Sequence, residues 1–257
     1  MAIPNVTTDD TKHDIIRRFN ENVRGKQAET TNSNQRHDGR EGHWLERQMG
    51  LTANASNAPD LHGYEMKNQT TTKTTFGDWS ADYYIYKDVD YGITRNQFLM
   101  IFGKPNSAKG GRYSWSGEPC PKINRFNSFG QKLYIDANHN IIVEYSFAHD
   151  ERPNKTAIVP LALQREQLIL AKWYAHSISQ KLERKFNQRG WFKCLKNQDN
   201  VYTAIVFGDP ISFERWIALV ETGEVFFDSG MYQTNSRNYS VWRSTNTFWD
   251  SLITSRY

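Results

Sequence analysis

Apolar positions along the chain recur with two different periods, and the alternation of these periods is the first guide to the fold. Between Asp10 and Val23, residues Ile15, Ile16, Phe19 and Val23 lie on one helical stripe behind the capping candidates Thr8, Asp9 and Asp10, which predicts a helix. Arg24 to Arg40 is polar, crowded with Asn, Gln, Thr and Gly, and reads as a mobile surface loop. A short helix is expected over Glu41–Met49, with Trp44, Leu45 and Met49 turned inward and Gly50 ending it. After the turn-like stretch Asn54 to Pro59, Leu61 to Lys67 alternates as a strand, and a second strand is expected around Tyr83 to Tyr86. Gly103 to Gly130 reads as irregular, whereas Leu133 to Tyr145 has two apolar runs around a turn rich in Asp, Asn and His, the pattern of a hairpin. Pro160 to Phe186 is the longest helical candidate, with Leu161, Leu168, Ile169, Trp173, Ile178 and Leu182 forming its apolar stripe. Val201 to Phe207 suits a buried strand; Asp209-Pro210 then opens a helix through Val220, which Gly223 stops before a strand Val225 to Phe227. No fixed-period repeat is visible, and the sum is a mixed α/β chain.

Composition narrows the function classes. With 257 residues, 38% hydrophobic and 14% aromatic, the chain is long enough to bury a core, and 23% charged residues are too few for a disordered polyelectrolyte. The absence of a long Gly/Pro/Ser-rich linker favours lobes that share one core over independent modules. A mean hydropathy of -0.75, with no run of about 18 apolar residues, argues against a membrane span. Met1-Ala-Ile-Pro-Asn5 lacks the features of a secretory signal, so a cytoplasmic location is expected. Cys120 and Cys194 are too few for a disulfide scaffold or, alone, a zinc site. Lys and Arg number 32 against 28 Asp and Glu, a net +4, which is compatible with a polyanion partner without demanding one. Locally the bias is stronger: from Arg165 to Lys196 the chain carries an excess of six positive charges, either a solvated helix face or a phosphate-facing one.

One segment carries chemistry: Ala58-Pro59-Asp60-Leu61-His62-Gly63-Tyr64-Glu65-Met66-Lys67. On a strand, Glu65 and Lys67 share a face while Met66 points to the other. Asp60, at the strand's entrance or on a paired strand, can converge on Glu65. Two carboxylates meeting at one point repel, and a hard divalent cation such as Mg²⁺ relieves the repulsion. The cation can lower the pKa of a bound water and neutralise charge developing on a phosphate, with Lys67 orienting the water or stabilising the phosphorus. The plain alternative is a solvated strand face. Against it stand the apolar neighbours Leu61, Tyr64 and Met66, because unpaired charges inside a fold are costly unless a ligand uses them.

Pro59-Asp60 followed by Glu65-Met66-Lys67 resembles the PD-(D/E)XK nuclease signature. Glu46, fourteen positions ahead of Asp60 on the short helix, makes the segment similar to the subgroup of MutH and the MvaI and BcnI restriction endonucleases. The stretch Gly39-Arg40-Glu41-Gly42-His43-Trp44-Leu45-Glu46 and the later Phe76-Gly77-Asp78-Trp79 look like the LlaMI-type enzymes. The resemblance implies a catalytic set of Glu46, Asp60, Glu65 and Lys67, with Asp60 and Glu65 holding Mg²⁺, for which Mn²⁺ can substitute. It implies hydrolysis of double-stranded DNA at a short GC-containing site, CCNGG-like by the LlaMI resemblance. It also implies a restriction-endonuclease-like core, a mixed sheet flanked by helices, with two lobes around a DNA cleft: residues 1–155 mainly catalytic, 156–257 mainly recognition. A monomer is implied as well, with a cognate DNA methyltransferase in the same system. A MutH-like nicking repair endonuclease and a DNA-binding module that has lost catalysis remain as alternatives.

A second resemblance lies in Val225-Phe-Phe-Asp-Ser-Gly-Met-Tyr232, Arg237-Asn238-Tyr239 and Arg243, which look like the strand and loop with which MvaI-like enzymes enter the major groove. Arg can donate two parallel hydrogen bonds to guanine O6 and N7, and Asn can pair similarly with adenine. Arg237 and Arg243, with Asn235 and Asn238, are therefore the base-reading candidates, alongside Tyr232; a polar surface loop is the alternative. Lys109 and Arg112, around Gly110-Gly111, suit phosphate contact. His43, His62 and His149 have no metal-ligand spacing and are read as structural or phosphate-contacting. The tryptophans are read as core. Walker and Gly-x-Ser-x-Gly motifs are absent from the sequence, which removes the usual support for nucleotide hydrolysis and acyl transfer.

Overall fold

The computed structural model describes residues 8–30, 40–51, 57–68, 70 and 72–257. Residues 31–39 of the Arg24–Arg40 loop and residues 54–56 of the Asn54–Pro59 turn lie outside them. The chain divides into two compact units, the first built from residues 1–74, 181–212 and 245–257 and the second from 75–180 and 213–244. The boundary expected at 155/156 falls inside the second unit. Because the chain leaves and re-enters each unit, no single cut along the sequence separates them.

The first unit is organised by a four-stranded sheet in the order Tyr64–Asn68, Gly190–Lys196, Tyr202–Gly208, Ile253–Arg256. Tyr64–Asn68, the motif strand, runs parallel to Gly190–Lys196, and the other neighbours are antiparallel. Helices Thr8–Asn22 and Arg40–Gln48 form where the apolar spacing predicted them. They bury Ile15, Phe19, Trp44 and Leu45 against Tyr64, Met66, Phe192, Cys194, Ile205 and Phe207 from one face of the sheet. Alternation along a strand sends the intervening residues to the opposite face. There Trp191 meets Trp249 edge-on at 5.0 Å, and Phe186 lies 6.2 Å from Trp249. The second half of helix Ala175–Phe186 and the helix Asn246–Ser251 thus cover this face; the latter is capped by the Thr245 hydroxyl, which accepts from Phe248 N–H.

The second unit holds a five-stranded sheet in the order Tyr83–Tyr84, Leu168–Trp173, Ile141–Asp150, Phe129–Ile135, Lys122–Ile123, containing the predicted hairpin. Its core is dense in large rings, with Trp115, Trp173, Trp216 and Trp242 fully buried. The reading of the tryptophans as core residues holds in both units. Local expectations differ in several places: the helix expected from Asp209-Pro210 starts at Phe213, and the strand expected from Leu61 starts at Tyr64. Pro160–Phe186 is not one helix: Leu168–Trp173 is a central strand paired with Ile141–Asp150, and the helix starts at Ala175. A continuous apolar run flanked by partners on both sides satisfies either period, and sheet pairing decides it. The basic residues from Arg165 to Lys196 accordingly do not share one helix face. Tyr83–Tyr86 is a strand only to Tyr84 and then a 3₁₀ turn over Ile85–Lys87. The stretch read as irregular contains Lys104–Asn106 and Arg112–Trp115, which join Met231–Tyr232 in a three-stranded sheet. Cys120 and Cys194 are buried thiols that form no disulfide. Among the described residues, no helix is long and apolar enough to cross a membrane.

Candidate active site

The spacing from Asp60 to Glu65 has a simple structural origin. Leu61 and Tyr64 exchange backbone hydrogen bonds at 3.0 and 2.8 Å, and the two residues between them, His62 and Gly63, both have positive φ (52° and 84°). This is a two-residue hairpin turn of the kind that positive φ at both central positions permits. With Leu61 opposite Tyr64, Asp60 falls opposite Glu65. Asp60 Oδ2 accepts from Met66 N–H at 2.9 Å, which locks the carboxylate beside the motif strand. His62 is held to Asp14, 3.0 Å away, a structural role for this histidine.

Glu65 and Lys67 lie on the face away from the Tyr64–Met66 core and are both buried. Lys67 Nζ donates to Glu65 Oε1 at 2.8 Å and sits 4.8 Å from the centre of the Phe186 ring and 5.9 Å from that of Trp249. Lys185 Nζ, on helix Ala175–Phe186, reaches the same oxygen at 3.1 Å. Burial lowers the Lys67 ammonium from its ordinary range, against the pull of Glu65, and the Lys185 charge adds to the lowering. The other Glu65 oxygen, Oε2, is buried and has no hydrogen-bond partner. Asp60 is exposed as a residue, but its carboxyl is turned in; desolvation first, and the nearby Glu65 charge second, raise it to about 6. A carboxylate oxygen without a donor, beside a second carboxyl whose ionisation burial and the first one's charge oppose, is an arrangement a cation would relieve.

Glu46 stands on helix Arg40–Gln48 with Oε2 at 3.2 Å from His43 Nδ1. Asp60 is influenced most by Glu65, Met66, Lys67 and Lys185. Among the described residues, no group of three or more His, Cys, Asp and Glu is gathered closely enough to hold a metal ion. Lys185 is the residue that sequence reasoning missed here. It was legible only as one cation in a basic run, because its approach to Glu65 depends on a helix far along the chain.

The raised Asp60 carboxyl has a stability consequence. In the folded chain it holds a proton that the unfolded chain loses near 3.8, so in metal-free protein its contribution to stability is full below about 4 and is lost as pH rises through about 6. Asp60→Asn should remove this component. Urea midpoints in EDTA from pH 4 to 7 should then fall less with pH for the variant than for the parent; parallel curves would contradict the assignment.

The base-reading candidates lie in the second unit. Tyr232 pairs with Ser114 across the short sheet, and the Arg112 guanidinium packs 3.7 Å from the centre of the Tyr232 ring. Asn235 Nδ2 donates to the Tyr232 hydroxyl at 3.0 Å, which lowers the Tyr232 pKa, and Asn235 Oδ1 accepts from Arg237 N–H at 2.8 Å. Lys109 is exposed at the tip of the neighbouring hairpin. Arg237 is 61% exposed and pairs with Asp78 at 2.6 Å. Arg243 does not join this loop: it sits on strand Ser240–Thr245, half-buried, 3.3 Å from Asp228. Arg95, which sequence reasoning did not single out, ties the loop down. Its Nε donates to Asn238 Oδ1 at 2.9 Å, and its terminal nitrogens donate to the carbonyls of Tyr232 at 3.2 Å and Arg237 at 2.9 Å.

Comparison with known proteins gives the class and the family. The structure resembles that of restriction endonuclease MvaI in its complex with cognate DNA, with a TM-score of 0.61 and 12% identity over 100% of this chain and 99% of that one. The fold is therefore restriction-endonuclease-like. The sequence profile of the LlaMI restriction endonuclease family matches residues 23–257. The chain is also 48% identical to "Type II restriction enzyme ScrFI" of Lactococcus lactis subsp. cremoris, over 95% of this chain and 97% of that protein. The chain belongs to the LlaMI restriction endonuclease family, and its enzyme class is that of type II site-specific endonucleases.

Proposed function

We propose that the chain hydrolyses phosphodiester bonds in double-stranded DNA within a short, GC-containing sequence, with Mg²⁺ as cofactor, Asp60 and Glu65 as its protein ligands, and Lys67 beside them. The observation that carries this reading is the unpaired, buried Glu65 Oε2 next to the raised Asp60 carboxyl. Two carboxylates fit Mg²⁺, which keeps several waters and takes few protein ligands. When bound, the ion supplies Lewis-acid stabilisation of phosphoryl charge and a more acidic water. Lys67, fixed by Glu65 and flanked by Phe186 and Trp249, brings a positive charge beside the two carboxyls, where low-dielectric surroundings make its stabilisation of phosphoryl charge more effective. Glu46, which pairs with His43 and is not gathered with Asp60 and Glu65, is assigned a supporting role outside the metal ligands. The protein acts as a monomer. Agarose analysis of supercoiled plasmid with Mg²⁺, with and without EDTA, tests the reading: linear product in Mg²⁺ alone is expected, persistent nicked product would favour a nicking endonuclease, and intact plasmid in every metal would sink it.

Sequence reading is assigned to the loop bearing Tyr232, Asn235, Arg237 and Asn238, with Arg243 behind it and Lys109 and Arg112 on phosphates. Arg95 is its positioning residue. Arg95→Lys keeps the charge and loses the planar fork that holds three acceptors at once. The ratio of kcat/KM for the cognate site over a one-base-altered site should drop by about tenfold, the scale of one good base contact. An unchanged ratio would remove Arg95 from recognition.

A further inference from the structure

Strand register places a row of cations beside the catalytic pair. Lys67 is opposite Lys193, Lys193 is opposite Val206, and Val206 is opposite Arg256, so these residues run straight across all four strands of the first unit's sheet. Residues directly opposite one another share a face, which puts Lys193 and Arg256 on the same face as Lys67. The row ends in a cavity of about 320 Å³ lined by Lys193, Lys196, Arg256, Thr203, Asn246 and Asp250 among others. Three cations line it against one lining carboxylate, Asp250, and even with Glu41, which reaches Lys196 from outside the lining, the balance stays positive; Thr203 and Asn246 add neutral polar groups. The Lys193 side chain is only 2% exposed and its Nζ meets Asp250 Oδ1 at 2.7 Å, whereas the Asp250 side chain is 55% exposed. Burying an ammonium is costly unless it is paired, and this partner is a surface carboxylate free to swing into water. Lys196 is similarly engaged by Glu41, 45% exposed, at 2.7 Å.

We propose that this cavity takes a backbone phosphate of the bound DNA, flanking the one that reacts at Glu65 and Lys67, and that Asp250 stands in for that phosphate on Lys193 until DNA arrives. The inference rests on the reading of the chain as a DNA-cutting enzyme and adds a second anchoring point to it. A phosphate contact positions the duplex without reading its sequence. It follows that neutralising Arg256 weakens cognate and scrambled duplexes alike, while neutralising Asp250 removes the competitor and strengthens both.

The test uses the full chain and a fluorescent duplex spanning a mapped cut, with a scrambled duplex beside it, in EDTA. Anisotropy titrations run from 50 to 200 mM salt. For Arg256→Gln, binding should weaken several-fold on both duplexes and the magnitude of the log–log salt slope should fall by about 1. Asp250→Asn should tighten both. Lys193→Met is read only alongside its thermal midpoint, because that residue is buried; the two surface variants do not depend on it. Unaltered affinity and slope for Arg256→Gln and Asp250→Asn, in a protein whose parent cuts at one sequence, overturns the pocket and leaves the nuclease reading standing. A parent that neither binds nor cuts DNA overturns both. Stabilisation of the parent by inorganic phosphate with unchanged DNA slopes in the variants assigns the cavity to a free anion and likewise overturns the proposal.

Discussion

Lys67→Met is expected to lower single-turnover cleavage by about a thousandfold or more, the range for losing one preorganised donor or acid–base group, while binding of the cognate duplex remains. Methionine is unbranched, one atom shorter than lysine and apolar, so it fills most of the space beside Phe186 and Trp249 while losing the ammonium that lies over those rings. Glu65 retains Lys185 at 3.1 Å and is not left as an uncompensated buried charge. The loss is therefore chemical rather than structural. Cleavage followed by rapid quench, beside anisotropy on the same duplex, separates the two. Cleavage within about tenfold of the parent would remove Lys67 from the chemistry, because loss of an essential acid–base group costs about a hundredfold or more.

The second large effect is on stability. Gly190 begins the strand that pairs with the motif strand, opposite Tyr64, and has φ of +100°. A Cβ there would fall inside contact distance of the Gly208 carbonyl oxygen, a backbone atom that cannot rotate away. An unfavourable φ and a forced shift of neighbouring strands together should cost about 3–5 kcal/mol. Urea unfolding of Gly190→Ala measures it. Gly42→Ala is the control, since it meets only the Asn68 side chain at ordinary contact distance within a helix and should be neutral or stabilising by up to about 1 kcal/mol. Equal midpoints for Gly190→Ala and the parent would show that the Gly190 backbone is not fixed as described.

The motif was legible because its information is local. Period-two alternation put Glu65 and Lys67 on one face, and a two-residue turn after Asp60 accounts for the five-residue offset. The helices Thr8–Asn22 and Arg40–Gln48 were legible for the same reason, their stripes lying within a few turns of chain. What the sequence did not display depends on register and distant pairing. Lys185 reaches Glu65 from a helix more than a hundred residues further along the chain, and Arg95 grips carbonyls near the far end. The row from Lys67 to Arg256 exists only once four strands are in register. Leu168–Trp173 was misread as helix because its apolar run fits either period, and only its neighbours on both sides make it a strand. The interleaving of the two units was invisible for a related reason: no linker marks the crossings.

The most direct measurement is digestion of a DNA of known sequence by the purified protein in Mg²⁺, with every end mapped, next to Asp60→Ala under the same conditions. A catalytic site built on Asp60, Glu65 and Lys67 predicts that all ends fall at one short sequence and that none appear in EDTA or with Asp60→Ala. Ends scattered without a shared sequence, or the same ends produced by Asp60→Ala, would contradict it.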